Sequence, residues 1–288
     1  MTAPPLSPVS HVSDTARWVA MYRAMESERP DALFHDPWAR KLAGPEGEAI
    51  LSGIPKGREM AWPMIVRTHV MDELILRAIS QDHVDTVLNL ASGLDARPYR
   101  LPLPAFLRWI EADFADVLSY KQTILAGEKP HCALEFAPVD LIDDKARAAF
   151  FHRVGAAATR TLVITEGLLV YLEREQVAGL AADLGKQPSF LWWLIDLASP
   201  ELLKRLSKTW GQTLQRSPMI FGPAEGTQFF EPYGWHEREY RSTFEESFRL
   251  NRTMRFARFF QLLGHLYPKR TRAHFQRFSG IVLLARKQ

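Results

Sequence analysis

The chain has a single cysteine, Cys132, among 288 residues. It can form no internal disulfide, and the simplest reading is a free core thiol in a reducing compartment. No apolar run approaches the roughly 18 residues that a membrane span requires. The opening stretch, MTAPPLSPVS, has neither the basic start nor the apolar centre of a signal peptide. A cytoplasmic protein without a membrane partner is expected. No His or Cys spacing suits zinc, and neither an RNA-binding signature nor a block of consecutive basic residues appears, so neither a metal nor a nucleic-acid partner is expected. Acidic residues are missing from one region: from Ser247 to Gln288 there are ten Lys or Arg and no Asp or Glu, although the net charge is only +3. Such a stretch suits a solvated helix face, an anionic surface or a pocket for an acidic small molecule.

What is present fills a large core, since 47% of the residues are apolar. After the proline-rich start, Ser13 or Asp14 can cap a helix to about Ser27, carrying Trp18, Met21, Tyr22 and Met25 on one face. A second, short helix is expected over 37–42. Pro45, Gly47, Gly53, Pro55 and Gly57 then read as a loop-rich connection, and a third helix runs from Pro63 to about Ile79. Residues 1–80 form a helical cap in this reading, with the remaining domain over 81–288.

From Val84 the pattern changes. Short apolar runs at 87–90, 107–112, 134–139, 161–164 and 190–197 alternate with helical segments at 116–126, 145–154 and 174–184. That alternation predicts an α/β fold with a parallel sheet covered on both faces. A long helix over 201–216, a short one over 227–233 and strands over 236–242 and 280–285 complete the chain, with 244–278 as an insertion that could serve as a lid.

The first strand leads into Ala91, Ser92 and Gly93, a turn with almost no side-chain bulk that lets backbone approach a ligand. The next strand ends in Glu111 and Asp113, about 20 residues after the glycine, where a carboxylate can accept from both hydroxyls of a ribose. Loop and acid together favour an adenosine cofactor. Asp140, Glu166 and Asp196 fall at the ends of later strands, and a carboxylate flanked by Val163, Ile164, Leu168 and Leu169 needs a partner such as a ligand's cation.

The segments SDTARWVAMYRAMES, HDPWA, VRTHVMDELI, NLASGLDARPYRL, EADFADVLSYK and TEGLLVYL, with the Gly234-Trp235 pair, resemble the leucine carboxyl methyltransferase-like family of S-adenosylmethionine-dependent methyltransferases. The resemblance implies a class I methyltransferase, Rossmann-like fold: a seven-stranded, mostly parallel sheet behind an N-terminal helical cap. It also implies S-adenosylmethionine as cofactor, with Gly93 packed against it, Asp113 on the ribose, and Asp140 and Leu141 at the adenine. Glu166 would lie near the methionine end, and Arg67 and Arg23 would hold the carboxylate. Tyr171 resembles the tyrosine placed near the acceptor. Where the family has glycine this chain has Ala91, which is tolerable if φ is negative at that strand end.

The reaction so implied is O-methylation of a small-molecule or peptide carboxylate, which is already ionised at neutral pH and needs no base. A hydroxyl acceptor would need one, and His69 and His236 are the nearest candidates. A nicotinamide-dependent oxidoreductase and an inactive cofactor-binding relative are the readings from other classes.

Overall fold

The computed structural model describes residues 12–54, 56–210, 217–253 and 276–287. The β-branched and apolar runs become strands β1 (Thr86–Leu90), β2 (Arg108–Asp113), β3 (Ala133–Pro138), β4 (Thr161–Thr165), β5 (Phe190–Ala198), β6 (Trp235–Ser242) and β7 (Ser279–Arg286). They form one sheet in the order β3-β2-β1-β4-β5-β7-β6. The first five strands are parallel, and β7 runs antiparallel to both β5 and β6. β1 and β4 are buried at every position, as central parallel strands covered on both faces must be.

Alternate side chains feed two cores. On one face Leu88, Ile110, Val163 and Trp193 pack with Phe151 of α6 (Asp144–Ala156) and with Val177 and Leu180 of α7 (Arg174–Gly185). On the other, Val87, Trp109, Leu162 and Leu194 meet Val66, Val70, Met71 and Leu74 of α3 (Trp62–Gln81). Pro63 lies in the first turn of α3, where its missing N–H leaves no hydrogen bond unmade. Asp143 caps α6 by accepting from the amides of Lys145 and Ala146 at 2.9 and 3.0 Å.

A third core lies between α1 (Val12–Ser27) and α2 (Ala39–Gly53), where Trp18, Met21, Leu42 and Leu51 pack with Leu94 and Tyr99 from the segment after β1 and with Leu125, just past α5 (Ala115–Ile124). By packing, then, α1 and α2 cover the end of β1 while α3 lies against the sheet. The expected capping side chains Ser13 and Asp14 lie outside the described side chains.

Residues 45–53 are helical rather than loop. The chain bends at Gly44, whose φ of 64° is open to glycine, and resumes a helical course from Pro45, whose fixed φ suits a first turn. Three short elements went unforeseen: α4 (Arg97–Arg100), a 3₁₀ turn at Leu169–Tyr171, and α9 (Thr243–Arg249). Of the long helix expected over 201–216, α8 (Pro200–Trp210) is present and 211–216 lie outside the described residues. Most of the expected insertion, 254–275, lies outside them too. Among the described residues no helix is long and apolar enough to cross a membrane.

Candidate active site

Strand order reverses between β1 and β4, and a cavity of about 1820 Å³ opens there, along the carboxyl edge of the sheet. In open α/β sheets that is where ligands bind. The loops after β1, β2, β3 and β4 supply Gly93, Asp113, Asp140 and Glu166 to its wall, and α1 and α3 close it from above with Val19 and Arg67. Arg23, Ala91, Leu141 and Tyr171 line it as well.

The acid and the glycine are in direct contact: Asp113 Oδ2 accepts from the Gly93 amide at 2.7 Å, and its Oδ1 from the Phe114 amide at 2.7 Å. Burial raises the Asp113 pKa from its ordinary value, and these two amide donors oppose the shift. Gly93 has φ +50°, and a Cβ there would come within 3.2 Å of Ala16 Cβ on α1. A side chain at this position would press against the helix that roofs the loop.

Ala91 departs from expectation. Its φ is +50°, not negative, so an L-residue occupies the left-handed region that the usual glycine enters freely. The loop keeps this shape because the Ser92 amide donates to Ala112 O at 3.3 Å and Gly93 is pinned by Asp113.

Behind the loop runs a chain of alternating charges. Arg67 donates from Nε to Glu166 at 3.0 Å and from Nη1 to Asp196 at 2.9 Å. Arg97 donates from Nη1 to Glu166 Oε2 at 2.7 Å and Asp95 Oδ2 at 2.8 Å, and from Nε to Asp72 at 2.6 Å. Arg100 also grips Asp72, at 2.6 and 2.8 Å, and lies 4.0 Å from Asp36, which takes Arg23 Nε at 2.8 Å. Asp36, Asp72, Asp95, Glu166 and Asp196 thus face Arg23, Arg67, Arg97 and Arg100, leaving one carboxylate in excess. The arginines hold the Asp95 and Glu166 carboxyls below their usual range despite burial, so both are ionised at neutral pH. Two polar atoms of cavity-lining residues, Arg97 Nη2 and Ser92 Oγ, are buried with no hydrogen-bond partner.

Asp72, Asp95, Arg97 and Arg100 join this network without having been singled out from the residues alone. They lie inside VRTHVMDELI and NLASGLDARPYRL, and the signal that could have found them is charge embedded in otherwise apolar segments. Arg23 is buried rather than solvent-facing: besides Asp36 it donates to Leu94 O at 2.5 Å, tying α1 to the loop after β1. Asp140 Oδ1 accepts from the Ile142 amide at 2.9 Å, and Leu141 O accepts from Arg147 at 2.8 Å, which fixes the loop after β3. Burial raises the Tyr171 hydroxyl pKa, so it keeps its proton, and it is hydrogen-bonded to the Thr15 side chain.

Neither histidine candidate reaches the cavity. His69 Nε2 lies 3.5 Å from Glu73, and His236 pairs with Ala285 within the sheet. No histidine among the described residues lines the cavity, and those residues hold no group of three His, Cys, Asp or Glu that could bind a metal. Glu111, the other acid at the end of β2, lies outside the cavity lining and pairs with Lys121 Nζ at 2.6 Å, both side chains fully buried.

The model of the leucine carboxyl methyltransferase family matches residues 16–184. A Streptomyces coelicolor protein named as an S-adenosyl-L-methionine-dependent methyltransferase is 36% identical over 193 residues, 62% of this chain and 66% of its own length. The match to a similarly named Frankia alni protein is 35% identical and covers 65% of that protein, so the chain spans a little under two thirds of these relatives. A second Frankia alni relative is 33% identical over 75% of this chain and 83% of its own. In fold, the chain resembles a DUF574 family protein from Streptomyces avermitilis, with a TM-score of 0.61 at 10% identity over 98% and 99% of the two chains. It also resembles a Thermobifida fusca protein described as a methyltransferase, with a TM-score of 0.57 at 14% identity over the whole of both chains.

Proposed function

Because the chain belongs to the leucine carboxyl methyltransferase family, we propose that it is an S-adenosylmethionine-dependent O-methyltransferase whose acceptor is a carboxylate. The observation that carries the cofactor reading is the acidic lining of the cavity that Gly93 and Asp113 frame, where among the described residues carboxylates outnumber guanidiniums. A cofactor with sulfonium, ammonium and carboxylate groups carries one net positive charge, which suits such a lining. Asp113 has lone pairs left for ribose hydroxyls after accepting two amides. Asp140 and Leu141 would face the adenine, and Arg67 and Arg23 the carboxylate, for which a planar guanidinium fork is suited. Glu166, with one arginine on each oxygen, can still accept from an ammonium group. Ala91 adds only a methyl group at the rim of this cradle.

When bound, the cofactor supplies the electrophilic methyl group and its leaving group. The chain's own task is to align the acceptor oxygen and exclude water from it. Tyr171, protonated and tied to Thr15, would orient that oxygen by donating a hydrogen bond. A hydroxyl acceptor would have to lose a proton during attack. A carboxylate acceptor, already ionised at neutral pH, asks no such step of the lining.

Titration calorimetry with S-adenosylmethionine tests the cofactor reading. Micromolar binding is expected for the parent, weakened about ten- to hundredfold in Arg67→Ala and Glu166→Ala through loss of charge-assisted hydrogen bonds. A folded parent that binds NADH but not S-adenosylmethionine would overturn it. The acceptor class is read from the product in mild alkali, where an ester is hydrolysed and an ether survives.

A further inference from the structure

The cavity is larger than a cofactor needs. A site enclosing one drug-sized ligand occupies roughly 300–1,000 Å³. From a cavity of about 1820 Å³, on the order of 800 Å³ therefore remains beyond the cofactor. Beyond the cofactor-sized part, the lining takes in the end of β5, α9 and the start of β7. The wall there is apolar: Leu202 and Leu206 of α8, Met219, Phe221, Phe248 of α9 and Phe278.

Polar groups are scarce in this arm. Glu245 is engaged by the Gln276 side-chain amide at 2.6 Å. The strand ends offer little main chain to a newcomer, since Ala198 is paired with Ser279 and Ser242 with Gly280. A peptide buried there would bring an N–H and a C=O with every residue, and each one left unpartnered weakens binding. Arg205 is the exception. It lines the arm, its guanidinium carbon lies 4.9 Å from the centre of the Phe278 ring, and among the described residues the guanidinium has no carboxylate partner. The other arginines of the lining, Arg23, Arg67 and Arg97, are all held by carboxylates, and Arg23 and Arg67 are the two assigned to the cofactor.

We propose that the methyl acceptor is a non-peptide amphiphile whose apolar body fills the arm between α8, α9 and the start of β7, and that Arg205 selects for negative charge on it. The inference rests on the methyltransferase reading above and narrows it from carboxylates in general to apolar acids. Arg205, with no carboxylate partner among the described residues, favours an anion over a neutral molecule of the same shape, and the aromatic and methionine wall favours bulk over length of main chain.

Equilibrium titration of the full chain with dodecanoate, dodecanol and a pentapeptide ending in a free leucine carboxylate, with and without S-adenosylhomocysteine, tests it. Dodecanoate is expected to bind at least tenfold more tightly than the peptide. Arg205→Gln, an exposed substitution that leaves the core intact, should weaken dodecanoate about tenfold and leave dodecanol unchanged. Equal affinity for peptide and dodecanoate, no binding of dodecanoate, or an equal effect of the substitution on acid and alcohol would each overturn the proposal. The two readings fail separately. If dodecanoate behaves as expected but S-adenosylhomocysteine does not bind, the arm's ligand class stands and the methyltransferase reading falls; the reverse pattern sinks the inference alone.

Discussion

Ala91→Gly is expected to stabilise the protein by about 0.5–1 kcal/mol, although it removes atoms. At φ +50° the Cβ of an L-residue crowds the following carbonyl, at a cost of about 1–2 kcal/mol. Glycine escapes that cost but gives the unfolded chain more freedom, which offsets about 0.4–1 kcal/mol. Ala91 is only half-buried, so deleting its methyl group opens no core cavity. In a chain of this size the gain corresponds to a rise in melting temperature of roughly 1–4 °C. Thermal unfolding followed by circular dichroism, together with the urea midpoint at unchanged slope, would measure it. Ala96→Gly is the control, because Ala96 lies in the same loop with φ −113° and is fully buried. There the same change should destabilise. If both substitutions destabilise, the left-handed conformation at Ala91 is not the source of strain argued here.

Three further outcomes follow from the buried charges and the cavity wall. Burial pushes the Glu111 carboxyl up to about 7 from an ordinary 4.5, so between those values the folded chain holds a proton that the unfolded chain has released. Stability should fall as pH rises through that window, by up to about 3 kcal/mol; Glu111→Gln should flatten the fall in denaturation midpoints between pH 5 and 7, whatever the absolute effect of leaving Lys121 alone. Asp183→Ala should destabilise by about 2 kcal/mol in urea unfolding, because it removes two charge-assisted hydrogen bonds, from Arg147 Nε and Nη2 to Asp183 Oδ2 at 3.0 and 2.6 Å, in a buried contact between α6 and α7, while Asp144 at 2.8 Å still faces the guanidinium. Tyr171→Phe should lower kcat while leaving the calorimetric affinity for S-adenosylmethionine within error; a parallel loss of both would place the hydroxyl in cofactor binding instead.

The strands were legible because β1 and β4 are short β-branched and apolar runs between turns, and their edges moved by only a residue or two. Residues 45–53 were misread because Pro45 and Gly47 are loop formers by composition, while in place Pro45 occupies a first helical turn after Gly44. At the site, Asp113 and Glu166 could be found because each ends a strand. Arg97 and Asp72 could not, because each is one charge on a helix until the fold brings them within 2.6 Å of one another. Ala91 shows a different limit: residue identity does not report the sign of φ, and the Gly93–Asp113 contact that helps hold the loop joins positions 20 apart. The apolar arm was hidden for a similar reason, since Leu206, Phe248 and Phe278 come from three separate elements that converge only at the sheet edge.

Because β7 runs against its neighbours, its first residues return to the same edge as the end of β5, and the two arms of the cavity come from different stretches of chain. The charged arm is built from residues within 16–184, the part that the family model matches, apart from Asp196. The apolar arm is built largely from 202–281, beyond it. On the proposed reading, the cofactor site and the acceptor arm fall in successive stretches of the sequence. Exchange of the segment after β5 between relatives should transfer acceptor preference while the cofactor site stays as it is.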